Sequence, residues 1–266
     1  MNDPKYEKCE KCKHGKLVRD NHDEFYICEL RKMPFECSLI DEVKPIVHLV
    51  ACTPNAMKVI EQAASICYNS KPTEKFRIAK ACYASGHTSV FEHASFTFEI
   101  SGVSRAFLAQ ITRHRIASFS VRSQRYCKED GFHFIVPRTV KSHAETDLYN
   151  DAMESMRDAY EMLIEAEIPA EDARFVLPNA CETRMIVTMN ARELISFCGL
   201  RLCKRAQWEI RAITQLMVEA VRTVEPELAN LLRPNCERYY PNCFCTERES
   251  CGRHPTLAEV FKKYNE

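Results

Sequence analysis

Apolar and polar positions alternate along this chain with two different periods, and the switches between them mark out its elements. Ile46-Val47-His48-Leu49-Val50 reads as a strand. Thr53 followed by Pro54 predicts a helix start, a capping hydroxyl before a proline at the first helical position, and that helix runs to about Tyr68. A second helix is expected over roughly 73–85, stopping at Gly86. Phe96, Phe98 and Ile100 alternate with polar neighbours, as in a half-buried strand. Ser104 can cap a short helix through about Thr112, and His133 to Val136 gives another short strand. Residues 145–166 predict a long helix, and a shorter one begins at Pro169. Met185 to Met189 reads as a strand, followed by helices over about 191–200, 206–222 and 225–232. In the second of these, Ile210, Ile213, Leu216, Met217, Ala220 and Val221 recur at helical spacing. Strands interleaved with long helices predict an α+β (mixed α/β) fold, a central sheet flanked by long helices.

Composition divides the chain further. Residues 1–45 hold four cysteines and few aliphatic side chains, 46–234 hold the periodic core, and 235–266 hold four cysteines in a polar tail. The 266 residues suffice for one sizeable core and a small appendage. Lys+Arg and Asp+Glu both number 37, and a zero net charge argues against bulk electrostatic binding. Neither nucleic acid nor membrane is therefore expected as a partner. No apolar run approaches a transmembrane span, and Met1-Asn2-Asp3-Pro4-Lys5-Tyr6-Glu7 lacks a signal-peptide core, so a cytoplasmic location is expected.

In that reducing compartment fifteen cysteines read as metal ligands or small buried hydrophobes rather than disulfides. Cys9-x2-Cys12 with Cys28 and Cys37 has the spacing of a tetrahedral zinc site in a metal-ribbon-like segment, and iron–sulfur ligation uses the same thiols. Cys236, Cys243, Cys245 and Cys251 are spaced less regularly and read as a second metal site or as packing of the tail onto a neighbouring subunit. Cys52, Cys67, Cys82, Cys127, Cys181, Cys198 and Cys203 mostly fall in apolar patterns and are expected in the core.

The six glycines are scattered and form no phosphate-binding loop, so a nucleotide would be held by side chains or helix ends. From Ser101 to Cys127 there are five arginines, Arg105, Arg113, Arg115, Arg122 and Arg125, and no acid. Three readings are open: a solvated surface with intramolecular salt bridges, a nucleic-acid patch, or a site for the phosphates of a nucleotide, which the planar guanidinium fork matches. Arg113-His114-Arg115 falls where the Ser104 helix runs out, and the stretch from there through Arg125 reads as a loop.

Arg113-His114-Arg115, then seven residues, then Ser123 with Gln124-Arg125-Tyr126 behind it, resembles the motif of flavin-dependent thymidylate synthases. Gly86-His87-Thr88-Ser89-Val90-Phe91-Glu92-His93 resembles the family's upstream histidine-rich block. Arg174-Phe175-Val176-Leu177-Pro178, Asn190-Ala191-Arg192-Glu193-Leu194, Leu200-Arg201 and Arg205-Ala206-Gln207-Trp208-Glu209-Ile210 resemble its later blocks, so the likeness spans about 46–222.

The resemblance implies methylation of deoxyuridylate (dUMP) to thymidylate. The carbon would come from 5,10-methylenetetrahydrofolate, the hydride from reduced FAD, and NADPH would regenerate the flavin. The absence of a Pro-Cys pair, the setting of the nucleophile in classical thymidylate synthases, agrees with the flavin route. By resemblance Ser89, Glu92, Arg113, His114, Arg115, Asn190, Arg192 and Arg205 bind FAD. Gln110, Ser123, Gln124, Arg125, Arg174 and Arg201 bind dUMP. Arg201 and His87 are the catalytic candidates, Arg201 facing the uracil ring and His87 near flavin or folate. Read without the family, Asn190 is simply a good N-cap, Arg192 a partner for an acid, and Arg201 a helix C-terminal cation.

Three positions depart from the family pattern. Val121 stands where many members carry an acid or amide, Ser196 replaces an asparagine, and Arg205 replaces a frequent histidine. The family also implies a homotetramer whose sites draw on several subunits. Two other readings stay open: a sibling enzyme modifying C5 of another pyrimidine nucleotide, and a zinc-ribbon protein that binds nucleic acid.

Overall fold

A computed structural model describes residues 15–19, 24–28 and 43–265. Two antiparallel strands, β1 (Gly15–Arg19) and β2 (Glu24–Cys28), pair from Gly15 with Cys28 to Arg19 with Glu24. They belong to a unit spanning Met1–Val43, and Lys44–Glu266 forms a second. Cys9, Cys12 and Cys37 of the expected zinc set lie outside the described residues, and for Cys28 only the backbone at the end of β2 is described.

The second unit is built on a four-stranded antiparallel sheet of order β3-β4-β6-β5: β3 (Ile46–Cys52), β4 (Ser95–Ser104), β5 (Ala117–Val121) and β6 (Glu182–Asn190). One face is apolar because alternate residues point the same way. Phe96, Phe98 and Ile100 of β4 and Met185, Val187 and Met189 of β6 are buried together. Against that face pack α1 (Ala56–Cys67), α2 (Arg77–Ser85), the short α3 (Arg105–Ile111), α5 (Ala191–Arg201) and α6 (Trp208–Val224). In α6 the expected stripe is buried through Ile210, Ile213, Met217 and Val221. The long helix α4 (Thr146–Glu165) buries Met153 and Tyr160, and α7 (Leu257–Asn265) closes the tail. Among the described residues no helix is long and apolar enough to cross a membrane.

Helix starts differ from expectation where a distant carboxylate supplies the cap. Thr53 does not cap α1; its hydroxyl accepts from the backbone of Ser95 (2.9 Å) and holds the start of β4 instead. The first amides of α1, Ala56 and Met57, donate to Glu225 at 2.6 and 3.5 Å. Likewise α2 starts at Arg77 rather than at 73. Thr73 is tied by its amide and hydroxyl to Glu61 (3.0 and 2.6 Å), and Glu61 also accepts from Ala79 (2.8 Å) inside the helix. Gly86, in the left-handed region at φ 84°, ends α2 as expected.

Three further expectations are corrected. Residues 117–121 form a strand and not a loop, paired with β6 from Ala117–Met189 to Val121–Met185. The stretch 133–136 contributes only one bridge, Phe134 to Cys181, because the adjoining Glu182 is already the first residue of β6. The helix expected over 225–232 shortens to one turn, Pro226–Ala229. Cys82, Cys181 and Cys198 are buried, but Cys67, at the last turn of α1, and Cys127, in a surface turn, are exposed.

Candidate active site

Ser104 caps α3 by accepting from Phe107 (3.0 Å), and buried Glu209 of α6 anchors that cap from behind, accepting from the Ser104 amide (2.7 Å) and hydroxyl (2.6 Å). The helix therefore ends at a fixed place, and Arg113-His114-Arg115 forms the exit that leads into β5. His114 is buried between two exposed arginines. Its Nδ1 lies 2.9 Å from a carboxylate oxygen of Glu193, and its ring meets Phe197 edge-on with centroids 4.8 Å apart. Its Nε2 accepts from Nε of Arg201 at 3.1 Å, and Nη2 of Arg201 donates to the carbonyl of Gln110 at 3.1 Å.

The tautomer follows from this arrangement. Arginine has only donors, so Nε2 is the acceptor and the ring proton sits on Nδ1, donating to Glu193. Burial pushes the His114 pKa down and the Arg201 charge adds to that, outweighing the opposing pull of Glu193. The ring is thus held neutral. Burial, together with the neighbouring Arg113, also lowers the pKa of Arg201. Both ring nitrogens of His114 are thus engaged, and neither is free to act as a base.

Glu193, which holds the His114 ring, is not among the residues singled out from the sequence. Asn190 caps α5 by accepting from the Glu193 amide (2.8 Å), as a simple N-cap would. An Asn-x-x-Glu pattern normally turns its glutamate back onto the cap. Here that carboxylate reaches across to His114 instead, and the pattern was the available signal. Arg192 pairs with Glu92, which stands on the turn Thr88–His93 with exposed Ser89, and exposed His87 immediately precedes that turn.

A second group lies elsewhere. Arg125 pairs with Glu171 (2.9 Å), and Nε of Arg174 donates to the Glu171 carbonyl (3.0 Å). Ser123 accepts from the amide of Arg125 (3.2 Å), and buried Gln124 contacts the Cys181 thiol (3.6 Å). Arg122, outside the candidate set, pairs with Glu129 (3.0 Å). So Arg122, Arg125 and Arg192 have intramolecular acids, whereas Arg113 and Arg115 have no hydrogen-bond or ion-pair partner among the described residues.

Strand register explains the separation. Ser95 and Ala117 pair with Asn190 and Met189, so the starts of β4 and β5 share one end of the sheet with the start of α5. Glu92, Arg115, Asn190 and Arg192 gather there. Arg122 bonds to the backbone of Arg184, so Ser123 and Arg125 leave from the far end of β6. From Arg184 to Asn190 is roughly 20 Å at about 3.3 Å per residue. One chain does not bring the two groups together along that strand. Of the departures from the family pattern, Val121 packs against the core, Ser196 is exposed, and Arg205 donates to the Glu249 carbonyl in the tail.

A profile of the family described as "Thymidylate synthase complementing protein" matches residues 48–227. A flavin-dependent thymidylate synthase of Geobacter sulfurreducens is 45 % identical over 203 residues, covering 71 % of this chain and 88 % of that protein. One from Saccharolobus solfataricus is 40 % identical over 230 residues, covering 82 % and 86 %. Among solved structures, a UMP/dUMP methylase, PolB from Streptomyces cacaoi, bound with 5-Br dUMP, superposes with a TM-score of 0.62 at 23 % identity, over 71 % of this chain and 94 % of that one, a likeness of fold. The matched stretch contains both arginine groups, His114, Glu193 and the sheet that spaces them, and the chain belongs to the flavin-dependent thymidylate synthase family.

Proposed function

We propose that this enzyme methylates C5 of dUMP to give thymidylate, with 5,10-methylenetetrahydrofolate as carbon donor, FAD as the resident cofactor and NADPH as reductant. The observation that carries this reading is the pair of guanidiniums, Arg113 and Arg115, that have no partner among the described residues and flank a neutral His114 that aims Arg201. That donor set fits FAD: two exposed cations with no acid paired to them among the described residues match a diphosphate, in a chain with no glycine cradle. Ser89, Glu92, Asn190 and Arg192, gathered at the same sheet end, and Arg205 offer polar contacts to the rest of the cofactor. When bound, the flavin supplies the hydride that turns a transferred methylene into a methyl group.

The other steps belong to the chain's own residues. Arg125 and Arg174, with Ser123 and Gln124, grip the nucleotide phosphate, for which Glu171 is the carboxylate stand-in within the chain. Gln110 and Arg201 take the uracil end. The Arg201 charge favours negative charge on the ring carbonyls or loss of the N3 proton, which pushes electron density toward C5. His114 moves no proton; it orients Arg201, and Glu193 orients His114. His87, exposed at the cofactor end, lies toward flavin or folate.

The reading includes a homotetramer, in which the phosphate group of one copy meets the cofactor group of another. Exposed apolar residues flank these arginines: Ile116 beside Arg115, Tyr126 beside Arg125 and Phe175 beside Arg174, at 65, 81 and 84 % exposure. Such side chains are suited to burial against a second copy. The N-terminal Cys9, Cys12, Cys28 and Cys37 are proposed to hold zinc, outside the reaction.

The test is the visible spectrum of freshly purified protein, followed by product analysis. A yellow protein that NADPH bleaches in the presence of dUMP, and that then forms thymidylate with methylenetetrahydrofolate, is expected. A colourless protein that retains oligonucleotide at moderate salt would overturn the proposal. Methylation of a different pyrimidine nucleotide in preference to dUMP would overturn the substrate assignment.

A further inference from the structure

The proposed reaction makes no use of a donor cluster in the C-terminal tail. The Cys236 thiol, a Glu237 carboxylate oxygen and a His254 ring nitrogen all lie within 4.8 Å of one another, on three half-buried residues. Backbone hydrogen bonds hold the segments that carry them. Phe244 donates to the Cys236 carbonyl (3.0 Å), Cys245 to that of Pro255 (2.7 Å), and Leu257 to that of Cys245 (3.2 Å). Chain register therefore fixes the backbone segments that carry the cluster.

The same region is seated on the end of α5. A Cβ at Gly199 would stand 2.3 Å from the Asn235 side-chain oxygen, so the residue before Cys236 lies directly on the helix. Arg253 donates to the Leu202 carbonyl (3.2 Å), which brings the His254 arm to the same place. The thiols of Cys203 and Cys245 are near enough to act electrostatically on Cys236.

A thiolate, an imidazole and a carboxylate are the zinc ligand types. Bonds of about 2.0–2.3 Å place the donors of a tetrahedron roughly 3.3–3.8 Å apart. Donors already within 4.8 Å close on one ion by side-chain rotation. Without an ion, Glu237 is left between His254 (3.3 Å) and Arg253 (3.8 Å), a weak substitute at long distances.

We propose that the tail binds one zinc-class divalent cation through Cys236, Glu237 and His254, completed by a thiol of Cys203 or Cys245. The ion pins residues 235–256 onto the helix end that carries Arg201. Four protein ligands leave no open position, so the site is structural and independent of the methyl transfer.

The experiment compares the full-length protein with a Cys236→Ser/His254→Ala variant by elemental analysis and by cobalt substitution. The variant should hold one fewer zinc per chain and lose one equivalent of intense tetrahedral cobalt absorption. His254→Cys, which keeps a ligand, should retain the metal and strengthen the thiolate–cobalt charge-transfer band, separating ligand loss from misfolding. Equal zinc in the parent and the Cys236→Ser/His254→Ala variant would overturn the proposal, as would a His254→Cys spectrum unchanged from the parent, or iron with inorganic sulfide in place of zinc. None of these readouts depends on thymidylate formation.

Discussion

Arg201 gains its aim from two fixed acceptors, the His114 ring and the Gln110 carbonyl, so its fork is immobilised before any substrate arrives. Arg201→Ala should keep its flavin, because the proposed cofactor contacts lie on other residues, while thymidylate turnover falls by about 10²–10³-fold. Arg201→Lys should not rescue it, since a point charge cannot serve both acceptors in one plane. Flavin absorbance and steady-state product formation read the two effects separately, and normal turnover in the alanine variant would remove Arg201 from the site. The same contacts carry a pH signature. His114 has its pKa depressed in the folded chain, so the unfolded chain binds more protons as pH drops below the ordinary histidine value near 6.5. Its contribution to stability is complete above that value and is lost as pH falls through the depressed one. Urea midpoints should decline over that window and decline less in His114→Gln.

Elements in this fold often begin where a remote carboxylate allows. Buried Glu61 accepts from Thr73 and Ala79 and so fixes both the turn before α2 and the first turn of the helix. Burial alone would raise its pKa, but the hydrogen bonds from Thr73, Ala79 and Ile78 outweigh it and hold the carboxyl below its usual range. Glu61→Ala should cost roughly 2–3 kcal/mol, the scale of losing bonds to a charged acceptor and stranding their donors. A lower urea midpoint at unchanged m-value would show it, and an unchanged midpoint would deny Glu61 that role. Such caps explain what could and could not be read from the sequence. The stripe of α6, the extents of α4 and α5 and the Gly86 stop are local and legible in the sequence. The start of α1 was not, because its cap, Glu225, is 169 residues away. Strand β5 is legible in principle: Ala117, Phe119 and Val121 alternate with serines, a short period that the helix exit and flanking arginines obscure. In the site, the Arg-His-Arg motif and the later blocks were visible. The pairings of His114 with Glu193, Arg125 with Glu171 and Arg192 with Glu92 arise only when the sheet and α5 assemble.

At the scale of the molecule, the sheet that organises the core also separates the chemistry. The proposed cofactor contacts collect where β6 meets α5, and the proposed phosphate contacts leave from the other end of β6, roughly 20 Å away. Both groups carry exposed apolar neighbours, as expected of surfaces that another copy covers. If each site combines the cofactor group of one chain with the phosphate group of the next, two separately inactive variants can repair each other. Arg201→Ala removes the uracil-end cation that His114 aims, and Arg125→Ala spoils the proposed phosphate contacts. Co-expressed with different tags and isolated as hybrids, they should form some sites that take intact Arg201 from one chain and intact Arg125 from its neighbour. Random pairing at equal amounts would make roughly a quarter of all sites intact, because a symmetric interface uses the same patch on every copy. Thymidylate formation should therefore return in the hybrids to about that fraction of the unaltered enzyme, while each variant alone stays inactive. Hybrids as inactive as their parents would mean that both arginines serve one site within a single chain. The 20 Å would then have to be closed by a rearrangement of β5 and the Glu171 turn rather than by a neighbouring subunit.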